Sequence, residues 1–233
     1  GPPPKPSSAA SEVYKRQDNT LAALLCTAVA GWFTLPFISF RPVTFALLLF
    51  AIAIDLLCRQ HRKAIWLIPP IVLVMTNLHL YAAVCAATVL LIAIASRWDD
   101  RPHLPRNALL ALLTIAAACG TPMLAGAITT ALRYDGADPM AAANYITEMR
   151  PFWWGITGKI SLAIVVGCAL LLVARRKQSN VADWLLIAFA TLLIFRLGRF
   201  APLFALLAMP RVAALLPTPC LLYTSDAADE GLG

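Results

Sequence analysis

Charge is what this sequence has least of. Only 13% of its residues are Asp, Glu, Lys or Arg, against about a quarter in a soluble domain, whose surface must be wetted. Much of this chain's surface therefore does not face water. Ligand spacings for metals are also missing. Six cysteines are present, but no CxxC or Cys/His spacing occurs. Cys26, Cys58, Cys85, Cys119 and Cys168 lie within or at the ends of apolar runs, where small packing residues sit. There is no Gly-rich phosphate loop and no nucleophile elbow. Neither a metal nor a cofactor is expected.

What the chain has in abundance is apolar sequence: 60% of its residues are hydrophobic and the mean hydropathy is +0.75. These residues gather in long runs instead of recurring at helical or strand period. A run of ~20 apolar residues spans the hydrocarbon, and only helices and closed barrels satisfy their backbone there. Barrel strands alternate apolar and polar residues over ~10 positions. Runs such as 21–30 and 160–174 do not alternate, so helices are expected.

The expected fold is all-α, a polytopic transmembrane helix bundle of about seven or eight spans. Apolar runs cover 21–37 and 43–58, with Arg41-Pro42 between them. The stretch 64–96 is too long for one span at ~1.5 Å per residue, and Pro69-Pro70 and the group Thr76, Asn77 and His79 interrupt it. Two helices meeting near Asn77 follow. A polar loop is expected over 97–106, a helix over 108–119 ended by Gly120-Thr121-Pro122, and a short re-entrant or interfacial helix over 123–132. The longest polar connection, 133–159, carries Phe152, Trp153 and Trp154. Three further runs cover 160–174, 181–195 and 200–216.

The net charge of +7 suggests a nucleic-acid partner at first sight. Its placement excludes one, because the cations sit in short clusters between apolar runs. Counting turns puts Arg59, Arg62, Lys63, Arg97, Arg101, Arg106, Arg175, Arg176 and Lys177 on one side, nine in all. Arg41, Arg133, Arg150, Lys159, Arg196 and Arg199 make six on the other. That bias fits the positive-inside rule, with the first side cytoplasmic.

Both ends differ in character from the rest. Residues 7–17 read SSAASEVYKRQ and residues 220–230 read CLLYTSDAADE. Both closely resemble translations of the transposase adapters used to prepare sequencing libraries: tgt ctc tta tac aca tct gives CLLYTS, and the reverse complement of the shared end gives VYKRQ. Glu12 departs from that pattern by one codon position. On this expectation residues 1–17 and 220–233 are non-native and disordered. The native part is then a transmembrane helical region, 18–219, truncated at both ends.

Chemistry is expected on the face away from the basic loops, where polar residues gather at helix ends. Arg41, Asn77, His79, Glu148, Arg150, Arg196 and Arg199 are the candidate substrate-binding residues. Ionisable groups at membrane depth are costly and often mark substrate paths, and guanidinium groups bind phosphate oxygens bidentately. Plainer readings stand beside this one. An Arg at a helix end snorkels to the interface, paired Trp residues anchor there, and Asn77 with His79 satisfies backbone groups where two helices break.

The order of these marks resembles a group of bacterial multi-pass membrane proteins. Their counterparts here are Arg41-Pro42 opening a span, the Asn77-Leu78-His79 turn, Gly120-Thr121-Pro122 at a helix end, the segment around Glu148 and Arg150, and the turn of Arg196 and Arg199. Leu80 stands where glycine usually follows the His, and Gly120-Thr121-Pro122 lacks an Asn and a Tyr-Gly. The group looks like the membrane portion of GT-C-type glycosyltransferases. The resemblance implies a bacterial inner-membrane protein that transfers a sugar from a polyprenyl-phosphate carrier at the extracytoplasmic face. Its partners would be membrane lipid and that polyprenyl-phosphate-linked sugar, with no nucleic acid. Such enzymes carry a catalytic Asp or Glu in their first extracytoplasmic loop. The short loop around Ser39–Pro42 holds no acid, so the catalytic residue is expected outside the fragment. A transporter or lipid-carrier flippase component, and a non-catalytic membrane protein, are the alternatives.

Overall fold

The computed structural model describes residues 20–38, 41–59, 63–99, 103–133 and 152–216. Among them every regular element is helical. In chain order they are α1 (Thr20–Thr34) with a 3-10 turn at Leu35–Phe37, α2 (Pro42–Arg59), a 3-10 turn at Ala64–Leu67 running into α3 (Ile68–Thr76), and α4 (Tyr81–Asp99). Then follow α5 (Leu104–Ala118), α6 (Leu124–Arg133), α7 (Gly155–Ala174), α8 (Val181–Arg196), a 3-10 turn at Gly198–Phe200, and α9 (Ala201–Leu215).

Four segments are long and apolar enough to cross a membrane: Thr20–Phe37, Tyr81–Asp99, Gly155–Ala174 and Gly198–Leu215. Length and composition thus give the chain the make-up of an integral membrane protein. Pro42–Cys58, Ala64–Thr76 and Leu104–Ala118 are shorter apolar helices. The four long segments divide into two kinds. Residues buried inside the bundle make up 56% of the window in α4 and 61% in the α9 segment, against 17% in the α1 segment and 28% in α7.

The core lies around α9. Phe204 and Leu203 are fully buried there, as are Phe50 of α2, Ile68, Val72 and Met75 of α3, and Ile194 of α8. Phe33 of α1 meets Phe204 edge to face at 5.4 Å. Ala205 and Ala208 of α9 and Ala46 and Ala53 of α2 are fully buried. Small residues let helix backbones approach closely, which is how helices associate where lipid removes the hydrophobic drive. Thr88 and Thr114, fully buried, donate to the carbonyls of Val84 and Leu110 in their own helices, so neither hydroxyl is left bare in the apolar interior. Outward, Leu24, Leu112, Leu170 and Leu192 are more than half exposed, an apolar exterior that suits lipid and not water.

The break expected near Asn77 is present: α3 ends at Thr76 and α4 begins at Tyr81. Pro69 and Pro70 lie in the first turn of α3, where the missing N–H has no intrahelical partner to lose. The polar loop expected over 97–106 is largely helix. Arg97, Trp98 and Asp99 complete α4, and α5 already begins at Leu104 with Pro105 in its first turn. The segment expected over 123–132 forms the ten-residue α6.

Candidate functional site

Long-range contacts sort the helix ends into two groups. At one end, the Thr76 hydroxyl donates to the Ala118 carbonyl at 2.8 Å, and the Tyr81 hydroxyl donates to the Arg199 carbonyl at 3.2 Å. The end of α1 and the start of α7 belong here too, because Trp32 Nε1 donates to Ser161 Oγ at 3.2 Å and Phe152 packs on Phe195 of α8. Arg41, Asn77, His79, Arg196 and Arg199 therefore share one end of the bundle. Glu148 and Arg150 lie outside the described residues.

Of these five, the structure brings His79 and Arg199 into contact. His79 sits in the turn between α3 and α4; Arg199 sits in the 3-10 turn that follows α8. Both are half-buried, and Arg199 Nη2 lies 3.5 Å from His79 Nε2 across 120 positions of sequence. The Tyr81 ring packs edge-on against the imidazole at 4.1 Å and lies 6.2 Å from Phe200. Burial lowers the His79 pKa from its ordinary value near 6.5, and the Arg199 charge lowers it further. The imidazole is therefore neutral at pH 7.

A neutral imidazole has one acceptor nitrogen, and two donors approach it here. The Tyr81 amide reaches Nδ1 at 3.4 Å and the Arg199 guanidinium reaches Nε2 at 3.5 Å. Only one of these can be a hydrogen bond at a time. When Nδ1 accepts from the Tyr81 amide, Nε2 carries the proton, and two N–H donors then face each other. An oxyanion between them satisfies both.

The other candidates are arranged differently. Asn77 Nδ2 donates to the Leu73 carbonyl at 2.9 Å, closing the last turn of α3. Arg41 is exposed beside the start of α2, and Arg196 is exposed on the last turn of α8. Trp153 stands against Phe195 at 5.6 Å and is 41% exposed. Gly158 permits this: a Cβ there would collide with the backbone of Phe152 and Trp153, which fold back onto α7. Gly155, at φ 72°, makes that reversal in the left-handed region that favours glycine.

No family model, curated protein or solved structure matches this chain.

The opposite end holds a polar network outside the candidate residues. Asp99, at the end of α4, accepts the Val181 and Ala182 amides of α8 through its two carboxylate oxygens, each at 2.9 Å. Asn180 and Asp183 form a reciprocal capping box on the same helix. Arg211 of α9 pairs with Asp183 at 3.4 Å, and Asn107 Nδ2 donates to Ser96 Oγ at 2.6 Å. Ser96, Asp99, Asn107, Asn180, Ala182 and Arg211 line a cavity of about 470 Å³. The capping box was legible, since Asn-x-x-Asp ahead of an apolar run is a helix-start signature. The Asp99 cap was not, because nothing local links positions 82 apart.

Proposed function

We propose that the chain is part of an integral membrane glycosyltransferase-like protein of the bacterial inner membrane. It transfers a sugar from a polyprenyl-phosphate carrier at the extracytoplasmic face, and His79 and Arg199 hold the carrier phosphate. The observation that carries this reading is the meeting of His79 Nε2 and Arg199 Nη2 at 3.5 Å. Two donors held together at the end of an apolar bundle need an acceptor, and a phosphate bearing a lipid tail supplies one. Arg41 and Arg196 add positive charge at the same end, and Arg150 joins them on this reading. Glu148 positions the acceptor. The helices cross the membrane seven or eight times, with α6 lying at the interface or re-entering it.

In the reaction, negative charge develops on the phosphate as the sugar–oxygen bond breaks. Donors already fixed around that oxygen stabilise the developing charge without reorganising. Arg199 supplies a planar fork and His79 a single N–H.

The test is turnover of a polyprenyl-phosphate-linked sugar by the intact protein carrying Arg196→Ala and Arg199→Ala together. Turnover should be abolished while membrane expression persists. Normal turnover in that double variant removes the phosphate site.

A further inference from the structure

A lateral groove runs between α4 and α5, on the flank away from α9, and encloses about 570 Å³. Ala93 and Ala111 are buried at its floor, whereas Leu90, Ile94 and Leu112 stand exposed along its rims. Leu104 and Ile115 bound it along α5. Those two residues are eleven apart, so the groove is about 16 Å long at 1.5 Å per residue. That is about the depth of one leaflet, half of a ~30 Å hydrocarbon core.

Shape limits the occupant. A helix is about 10 Å across, wider than a single hydrocarbon chain. An extended acyl chain is thinner and follows such a depression. The mouth selects further. Arg97 and Trp98, both exposed on the last turn of α4, stand there beside Leu104 on the first turn of α5. The α5 N-terminus carries no side-chain cap from His103, so its positive dipole end adds to the Arg97 charge. An exposed indole at this depth sits at headgroup level. Basic pockets between transmembrane helices on the cytoplasmic side take anionic head groups.

We infer that this groove binds an anionic phospholipid, with one acyl chain laid over Ala93 and Ala111 and the phosphate held at Arg97. The inference rests on the membrane setting of the helices and not on the sugar-transfer reading. It also fits the charge bias, since the Arg97 end is the one expected to face the anionic cytoplasmic leaflet.

The experiment uses the chain in phosphatidylcholine bilayers doped either with phosphatidylglycerol brominated on its acyl chains or with equally brominated phosphatidylcholine. The Trp98 emission is isolated as the difference between the unsubstituted chain and Trp98→Phe. Brominated phosphatidylglycerol should quench that emission with about fivefold higher apparent affinity than brominated phosphatidylcholine. Arg97→Gln should erase the preference while leaving quenching by both lipids, and Arg97→Lys should restore part of it. High salt should weaken the preference in the unsubstituted chain, a check that needs no variant. Equal quenching by the two lipids overturns the inference in favour of a non-selective lipid face. No quenching by either overturns it in favour of a protein segment covering the groove.

Discussion

The two ends of the bundle use polar residues in opposite ways. At the Asp99 end, acceptors and donors are matched: two carboxylate oxygens to two helix amides, Asn180 to Asp183, Asp183 to Arg211, Asn107 to Ser96. At the His79 end, two donors converge on one imidazole at 3.4 and 3.5 Å, one more than a neutral ring can accept. A network whose members are paired with one another ties the helix ends it joins. A cluster with a surplus of donors has an N–H left to offer an acceptor. The cavity at the Asp99 end has one carboxylate in its lining, Asp99, and both of its oxygens are already engaged by helix amides.

The sharpest way to break this contrast is to unbalance the matched end. Asp183 is buried, so Asp183→Ala leaves Arg211 without its carboxylate and removes half of the capping box. Stability should fall by about 3 kcal/mol, read from unfolding of the purified chain in detergent. Adding Arg211→Met should recover most of the loss, because the stranded charge is gone. If Asp183→Ala unfolds like the unsubstituted chain, the network is not structural and the comparison between the ends collapses. A smaller effect is expected from Asp99→Ala. Losing one helix cap costs about 1 kcal/mol, and hydrogen exchange at the Val181 and Ala182 amides should quicken while residues 77–81 keep their rates. Equal acceleration at both ends would mean that Asp99 supports the whole bundle and not one helix terminus.

These features differ in how far they could be read without coordinates. The long apolar runs announced α1, α4, α7 and α9, because a span's length and composition are local properties. The helix break at Asn77 was legible from Pro69, Pro70 and the polar group beyond them. The start of α5 was not. Arg106 falls in the expected loop, but a first helical turn near a bilayer surface tolerates polar side chains, and Pro105 marks that turn. At the candidate site, sequence collected Arg41, Asn77, His79, Arg196 and Arg199 at one end but could not rank them. The ranking comes from tertiary structure: α8 stops at Arg196, and the 3-10 turn Gly198–Phe200 carries Arg199 inward to His79. Asn77 bonds to its own helix and Arg196 stays exposed, and neither outcome is encoded in spacing.

The last way to separate the ends is pH, and its sign is opposite for ligand binding and for stability. The folded His79 pKa lies below the ordinary value near 6.5. As pH falls through 6.5 the unfolded chain takes up a proton before the folded one does, so unliganded stability should drop. A polyprenyl-phosphate-linked sugar is a phosphodiester and keeps its single negative charge through this range. Its affinity should therefore rise on acidification from pH 7.5 to 5.5, as the imidazole gains charge beside it. The gain should be about fivefold, the ~1 kcal/mol of a partly exposed ion pair. His79→Gln retains a donor but cannot titrate, so both pH dependences should flatten while binding at pH 7.5 persists. Asp99 and Asp183 do not touch this site, and Asp99→Ala should leave the affinity profile unchanged. An affinity that falls on acidification in the unsubstituted chain would mean that His79 accepts from Arg199 in the bound state instead of donating to phosphate. In that case the imidazole only orients the guanidinium, and Arg199 alone meets the anion.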